Sequence, residues 1–343
     1  MQNSVKQRRL LTWIMLVVLA AAAVYFVAFR EPELKPYKIQ FYAMDTIINI
    51  TVYSRYEANA YRVLAEAEAE FIRVANLTNR FGEQLPDPNV SDVYRLNNSG
   101  GKPVGVSEEI IMLIEQAFAM TERSQGAFDI TVGAAMDLWN FDGGGSVPTD
   151  AALKSTLEKV GMDKITVNKA DGTVTVPTGT VLDLGAVAKG YATDCAKDII
   201  KAAGIKHALI DAGGNIYAIG TRPDSNPWRV GIRNPRNASE TILILSITDC
   251  SAVTSSDDQR FFIADNKRYH HILDPHTGYP SASGALSVTI IAESSLMADM
   301  LSTAGFVLGS EAFAENFPDI KSVIMLDNSE ILVHSDLYIE GYL

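Results

Sequence analysis

Residues 39–53 read IQFYAMDTIINITVY, a run of β-branched and aromatic side chains that predicts strand. Over 56–77 the apolar positions return at the three-and-four spacing of an amphipathic helix. A second helix is predicted from about Ser107, an N-cap with Glu109 following, to Ser124. Between the two, 81–101 is rich in Pro, Asn and Gly and reads as loop. The central part predicts a short helix over 150–160, strands near Ile165 and Val174, and a helix over 187–203. Strand runs come next at 208–211, 228–232, 242–247, 251–254, 269–273 and 286–292, then a helix over 294–308 capped by Ser294 or Ser295. Runs at 322–326 and 331–333 close the pattern. Strands outnumber helices without strict alternation, so the expected fold class is α+β rather than a doubly wound sheet.

Residues 10–29, LLTWIMLVVLAAAAVYFVAF, fit none of these elements. Twenty charge-free positions suffice, as a helix, to cross about 30 Å of hydrocarbon. Lys6, Arg8 and Arg9 precede the run, which leaves that end in the cytoplasm and exports the rest of the chain. The small residues at 20–23 keep a cleavable signal open as the alternative. The expected organisation is a basic tail over 1–9, a transmembrane anchor or signal over 10–29, a spacer over 30–36 and one extracytoplasmic domain over 37–343 of a single-pass cell-membrane protein. Net charge is −12, and because the first thirty residues hold four cations and no anion, the remainder carries −16. So acidic a body repels a phosphate backbone, which excludes nucleic acid as a partner, and it would handle a phosphate only with a cation's help. Cys195 and Cys250 could form one disulfide in an oxidising compartment, although two buried, unpaired thiols fit better.

Neither GxGxxG nor GxxxxGK[ST] occurs, so the usual phosphate cradles are missing. Residues 183–190, Asp-Leu-Gly-Ala-Val-Ala-Lys-Gly, are expected to run from a strand into a helix, where backbone N–H groups and Lys189 can receive an anion; a plain turn with a solvated lysine is the alternative. The strand at 208–211 ends in Asp211, with Gly213 and Gly214 just beyond it, where a ligand can approach the backbone or the chain can simply turn. Three of five histidines fall within 270–276. In a strand His270 and His271 face opposite sides, so at most one joins a given site. The segment His271-Ile-Leu-Asp-Pro-His-Thr-Gly278 sets an imidazole before a fixed turn, a position for a general base of near-neutral pKa, with zinc as the alternative. Asp299 and Thr303 stand at i and i+4 and share one helix face. Carboxylate and hydroxyl oxygens suit a hard cation such as Mg2+ beside phosphate, whereas Thr303 could instead bond back to the preceding turn. An Asp among Leu, Met and Ala needs a partner if buried, which favours the metal.

In their order and wording these segments resemble the FAD:protein FMN transferase (ApbE) family, from about Met44 to Gly309. Met44-Asp-Thr46 stands where the family has Met-Gly-Thr. Arg80-Phe81 and Ser91-Asp-Val-Tyr-Arg-Leu-Asn97 match its aromatic-bearing loop ending in Ser-x-Leu-x-Arg-Leu-Asn. Residues 126–139 carry Gly-Ala-Phe-Asp-x-Thr-Val-Gly-x-x-x-x-Leu-Trp, followed by Asp-Leu-Gly-x-x-Ala-Lys-Gly-Tyr at 183–191 and Asp-Ala-Gly-Gly at 211–214. Trp-x-Val-Gly-Ile-x-Asn-Pro at 228–235 and the His271 segment complete the series. The resemblance implies an α+β, T-fold-like flavin transferase body with an FAD site formed by Met44, Phe81, Ala127, Phe128, Asp129, Asp183, Lys189 and Ile272. It implies Mg2+ held by the main-chain oxygen of Ala186 with Asp299 and Thr303, and His271 as the group that assists deprotonation of the acceptor hydroxyl. The implied reaction joins FMN from FAD to a threonine or serine of an acceptor protein and releases AMP, the acceptors resembling extracytoplasmic FMN-binding domains of membrane electron-transfer complexes.

Three positions depart from the family pattern. Asp45 replaces the glycine of Met-Gly-Thr, Thr254-Ser-Ser-Asp-Asp258 lacks the glycine and aromatic of Thr-Ser-Gly-x-Tyr, and Ser302 stands where some members have a second metal-side carboxylate. Two other readings use the same residues. One is an FAD diphosphatase with water as nucleophile, giving FMN and AMP; the other is a membrane-surface protein that binds FAD without turning it over.

Overall fold

The computed structural model describes residues 11–21, 31–82, 85, 87–335 and 339–342. The β-rich run at 39–53 folds as a hairpin. Strands β1 (Lys35–Ala43) and β2 (Thr46–Ser54) pair antiparallel across a two-residue turn at Met44 and Asp45. Their φ angles, +51° and +58°, are both left-handed, the turn whose twist suits its flanking strands. The sheet thus begins at Lys35, inside the segment expected as spacer.

Six more strands continue the sheet: β3 (Ala208–Ala212), β4 (Asn215–Ile219), β5 (Cys250–Ser256), β6 (Ala285–Ala292), β7 (Lys321–Leu326) and β8 (Ile331–His334). Each pairs antiparallel with its predecessor, so the sheet is a meander in chain order with helices and smaller sheets inserted between its strands. This is the α+β arrangement expected from the pattern.

Helix α1 (Glu57–Thr78) buries Val63, Leu64, Ala67 and Phe71 against Ile48 and Ile50 of β2 and Ile210 of β3. The expected loop at 81–101 contains α2 (Asp92–Asn97), capped by Ser91, whose Oγ accepts from the Tyr94 N–H at 3.1 Å. Helix α3 (Glu108–Arg123) starts at the expected Ser107 cap. Helix α4 (Gly133–Trp139) had no legible signal, since seven residues are too few to show a helical period. Helices α5 (Asp150–Leu157), α6 (Ala188–Ala202) and α7 (Ser295–Leu308) match expectation, and α8 (Ser310–Asn316) comes after them. Helices α1, α6 and α7 cover one face of the sheet. A ribbon of Trp228–Asn234 and Asn237–Ile247 covers Ala252, Ile291 and Val323 on the other.

The strand expected at 269–273 stops at His270. Lys267–His270 pairs with Phe261–Ala264, but Ile272 and Leu273 change partner and pair with Ser281 and Pro280. Residues 182–187 form a turn rather than a strand, entered from a single bridge between Val181 and Val132. Of the segment at 10–29, residues 11–21 are helical and exposed, and 10 and 22–29 lie outside the described residues. Among the described residues no helix is long and apolar enough to cross a membrane. Cys195 and Cys250 are unpaired and only half-buried.

Candidate active site

At one end of the meander the β1–β2 turn, the β3–β4 turn and the end of β5 meet the start of α6 and one face of α7 around a cavity of about 320 Å3. Small-molecule sites span roughly 300–1,000 Å3. Every residue that the family resemblance assigns to the site lines this cavity. Met44 comes from the first turn, Phe81 from the start of the loop after α1, and Ala127, Phe128 and Asp129 from the stretch before α4. Asp183, Ala186 and Lys189 come from the entry to α6, His271 and Ile272 from the strand that changes partner, and Asp299 and Thr303 from α7. Asp211 does not line it; Gly213 and Gly214 do, at φ +62° and +95°. A Cβ on Gly213 would fall 2.1 Å from Thr46 Oγ1, so the two turns can nest only with glycine there.

The entry to α6 is held from three sides. Asn97 at the end of α2 brackets Leu182, accepting its N–H at 2.8 Å and donating to its carbonyl at 3.0 Å. The Asp183 N–H reaches Ile130 O at 2.7 Å. The Asp183 carboxylate accepts from Gly185 N–H at 2.8 Å and pairs with Arg80 Nε at 2.9 Å. Arg80 also pairs with Asp137 and lies 4.3 Å over the Phe81 ring, so it orients both Phe81 and Asp183. From sequence alone Arg80 is only the neighbour of Phe81. Asp129 accepts from the N–H and hydroxyl of Thr131, at 2.7 and 2.6 Å, yet burial still pushes its carboxyl up.

Helix α7 is gripped by α6. Asp194 accepts from Ser295 N–H, Leu296 N–H and the Ser294 hydroxyl, at 3.1, 3.0 and 2.8 Å, and Ser294 caps the Met297 N–H. One turn earlier on α6, Gly190 donates to Asp299 Oδ2 at 2.8 Å. A Cβ at Gly190 would lie 2.5 Å from Ser295 O and 2.7 Å from Leu296 Cα, so this close approach requires glycine. Asp299 is 4% exposed, and burial pushes its carboxyl up against the pull of Lys189 and of the Gly190 N–H.

A carboxylate so buried, with the Thr303 hydroxyl on the same helix face and Ala186 on the cavity wall, fits a hard cation that would supply the charge partner burial denies it. Among the described residues no group of three or more His, Cys, Asp or Glu is placed to hold a metal, so such a site rests on Asp299 and neutral oxygens. At the position of the missing second carboxylate, Ser302 is buried and donates to Asp299 O at 2.9 Å. Ser255 Oγ lies 2.8 Å from its hydroxyl and 3.3 Å from that of Thr303.

His271 faces the cavity while His270 is buried, with Nε2 3.1 Å from Ser281 O and its ring edge-on to Phe306. The His271 Nδ1 lies 3.3 Å from Arg260 O. A carbonyl only accepts, so Nδ1 carries the proton and Nε2 keeps its lone pair. Burial, reinforced by the Arg260 and Lys189 cations, pushes this imidazole down to about 3. The near-neutral base expected from sequence is thus corrected to an imidazole that stays uncharged throughout the physiological range. The turn after it is fixed by Gly278 N–H to Asp274 O at 2.8 Å and by Trp139 Nε1–H to Gly278 O at 2.7 Å, which joins the 126–139 and 271–278 motifs.

The ApbE family model matches residues 44–324. This chain belongs to the ApbE family. Among the similar relatives of this ApbE chain is the FAD:protein FMN transferase of Treponema pallidum, 35% identical over 312 residues, or 84% of each chain. Another, of the same name, from Klebsiella pneumoniae is 33% identical, covering 80% of this chain and 87% of the relative. The crystal structure of the ApbE protein of Thermotoga maritima superposes with a TM-score of 0.81 at 33% identity, over 88% of this chain and 97% of that one. The flavin transferase ApbE of Vibrio cholerae gives 0.77 at 26%, over 88% and 98%.

Proposed function

We propose that this protein, a transferase of the ApbE family, moves the FMN half of FAD onto a threonine or serine hydroxyl of an acceptor flavoprotein and releases AMP. The observation that carries the reading is one cavity that combines a buried carboxylate and a hydroxyl on a single helix face, a lysine at a helix start, and a neutral imidazole held in one tautomer.

Asp299, Thr303 and the Ala186 main-chain oxygen would hold Mg2+, which when bound supplies charge neutralisation at the FAD diphosphate. Lys189 adds a point charge beside the phosphates, and Arg80 keeps Phe81 and Asp183 in position for the flavin nucleotide. His271 Nε2 accepts the acceptor's hydroxyl proton as its oxygen bonds to the FMN phosphorus and the bond to the AMP phosphate breaks. The anionic diphosphate offsets the Arg260 and Lys189 cations that depress His271, so the imidazole is a stronger base with substrate bound than without.

Residues 10–29 tether the body to the cell membrane on its outer side, a reading supported by the twenty charge-free positions and the three cations before them. The acceptors would then be FMN-binding domains of membrane electron-transfer complexes.

The test is incubation of the protein with FAD, Mg2+ and an FMN-binding acceptor domain, read as covalent flavin fluorescence on a denaturing gel. A fluorescent acceptor band that disappears with EDTA is expected. Free FMN and AMP without a band would mean the diphosphatase, and FAD recovered intact a carrier.

A further inference from the structure

Two β-ribbons rise from the wall of the cavity, and each carries exposed apolar side chains. On the outward face of the β1–β2 hairpin the positions are Lys38, Gln40 and Tyr42, opposite Thr51, Asn49 and Ile47. The pairs remote from the cavity are polar, and Gln40 donates to Asn49 at 2.8 Å. The pair beside the Met44–Asp45 turn is Tyr42 and Ile47, which are 68% and 54% exposed. The second ribbon, Phe261–Ala264 with Lys267–His270, packs Phe262 and Tyr269 inward on Trp139 and turns Phe261 and Ile263 outward, Ile263 being 65% exposed. The ribbons are tied together by Asp45 and Arg260 at 3.0 Å. A solvated ribbon face ordinarily carries polar side chains at alternate positions. Here that alternation fails at the Met44–Asp45 end of the first ribbon, whose turn lines the cavity, and along the second, which runs out from Arg260 and His271 in the cavity wall.

We infer that Tyr42, Ile47, Phe261 and Ile263 form the docking rim for the acceptor protein, on either side of the Asp45–Arg260 pair. The inference rests on the transfer reading above, which requires a macromolecule to cover the mouth while one of its hydroxyls reaches His271. Charge narrows the partner further. With Arg260 paired to Asp45, the second ribbon carries Lys267 and Arg268 against Asp265, on a chain whose net charge is −12, and Arg268 lies 3.8 Å over the Phe261 ring. An apolar surface edged by cations fits an acceptor segment that flanks its hydroxyl with apolar and acidic side chains. Asp45, where the family has glycine, lies between the two ribbons, so this departure would bear on acceptor choice.

The experiment compares the full chain with Ile263→Glu and Tyr42→Glu, neither of which lines the cavity. The rate of flavin attachment is measured against concentration of an FMN-binding acceptor domain, and FAD affinity is measured separately by flavin fluorescence. The expected result is a KM for acceptor raised at least about tenfold in each variant, with FAD affinity and kcat at saturating acceptor kept. Labelling by all three proteins with the same acceptor KM overturns the rim alone. Failure of the unmodified protein to label any acceptor while it binds FAD overturns the transfer reading and the rim with it.

Discussion

His271 gathers the site's chemistry at one atom. Its Nδ1 is committed to Arg260 O, and burial with two nearby cations holds the ring neutral down to about 3. In the free enzyme this group therefore gives kcat/KM for FAD no acid limb near its ordinary pKa of about 6.5. His271→Ala is expected to lower kcat by about 10²–10⁴-fold and leave FAD affinity nearly unchanged. A limb near 6.5 in the pH profile of kcat/KM for FAD that vanishes in His271→Ala would contradict the assignment. The same shift bears on stability, because below about 6.5 the unfolded chain binds a proton here that the folded chain refuses until about 3. Folding is thus weakened progressively as pH falls through that window and keeps its full contribution above it. For Asp299 the sign is reversed: burial raises its carboxyl, so the charged form opposes folding at neutral pH unless a cation joins it. Asp299→Asn retains an acceptor for the Gly190 N–H. Without Mg2+ it should melt no lower than the native protein, and added Mg2+ should raise the melting temperature of the native protein only, as read by calorimetry. Equal stabilisation of both would move the metal elsewhere.

At the scale of elements, the α6–α7 contact converts sequence into geometry. Gly190 lets the helices approach until its N–H reaches Asp299, and Asp194 ties down the start of α7 one turn later along α6. Gly190→Ala should force the helices apart at a cost of about 1–3 kcal/mol and weaken Mg2+ binding, measured by thermal melts with and without the metal. A variant with native stability and native Mg2+ response would show that this approach does not position Asp299. The long helices were legible because each shows several turns of apolar period, and two of them a side-chain cap as well: Ser107 for α3 and Ser294 for α7 both accept the expected N–H. Helices α2 and α4 were not, being six and seven residues long. The hairpin at Met44 and Asp45 was hidden because neither residue advertises a left-handed φ as glycine would, although the family's glycine at position 45 marks where one is needed.

For the whole molecule, periodicity reached α+β but not the meander, because strand order depends on pairing between segments far apart in sequence, such as β2 with β3. The site was more legible than the fold. Its residues lie in short motifs whose spacing is set by local turns, and the meander brings those turns to one end. The motifs did not disclose how they brace one another: Asn97 holding Leu182, Trp139 holding Gly278, Thr46 nesting against Gly213. Nor did they disclose the charge state of His271, which is set by burial and by Arg260 from another strand.

The central claim is that FMN leaves AMP only by joining a protein hydroxyl, and the most direct test is stoichiometry. With limiting acceptor domain, FAD and Mg2+, AMP is counted by chromatography and attached FMN by intact-protein mass. The account predicts one AMP for each FMN-bearing acceptor, with release ceasing when the acceptor is exhausted. AMP that continues to accumulate with free FMN after the acceptor is filled, or at the same rate without it, would contradict the account.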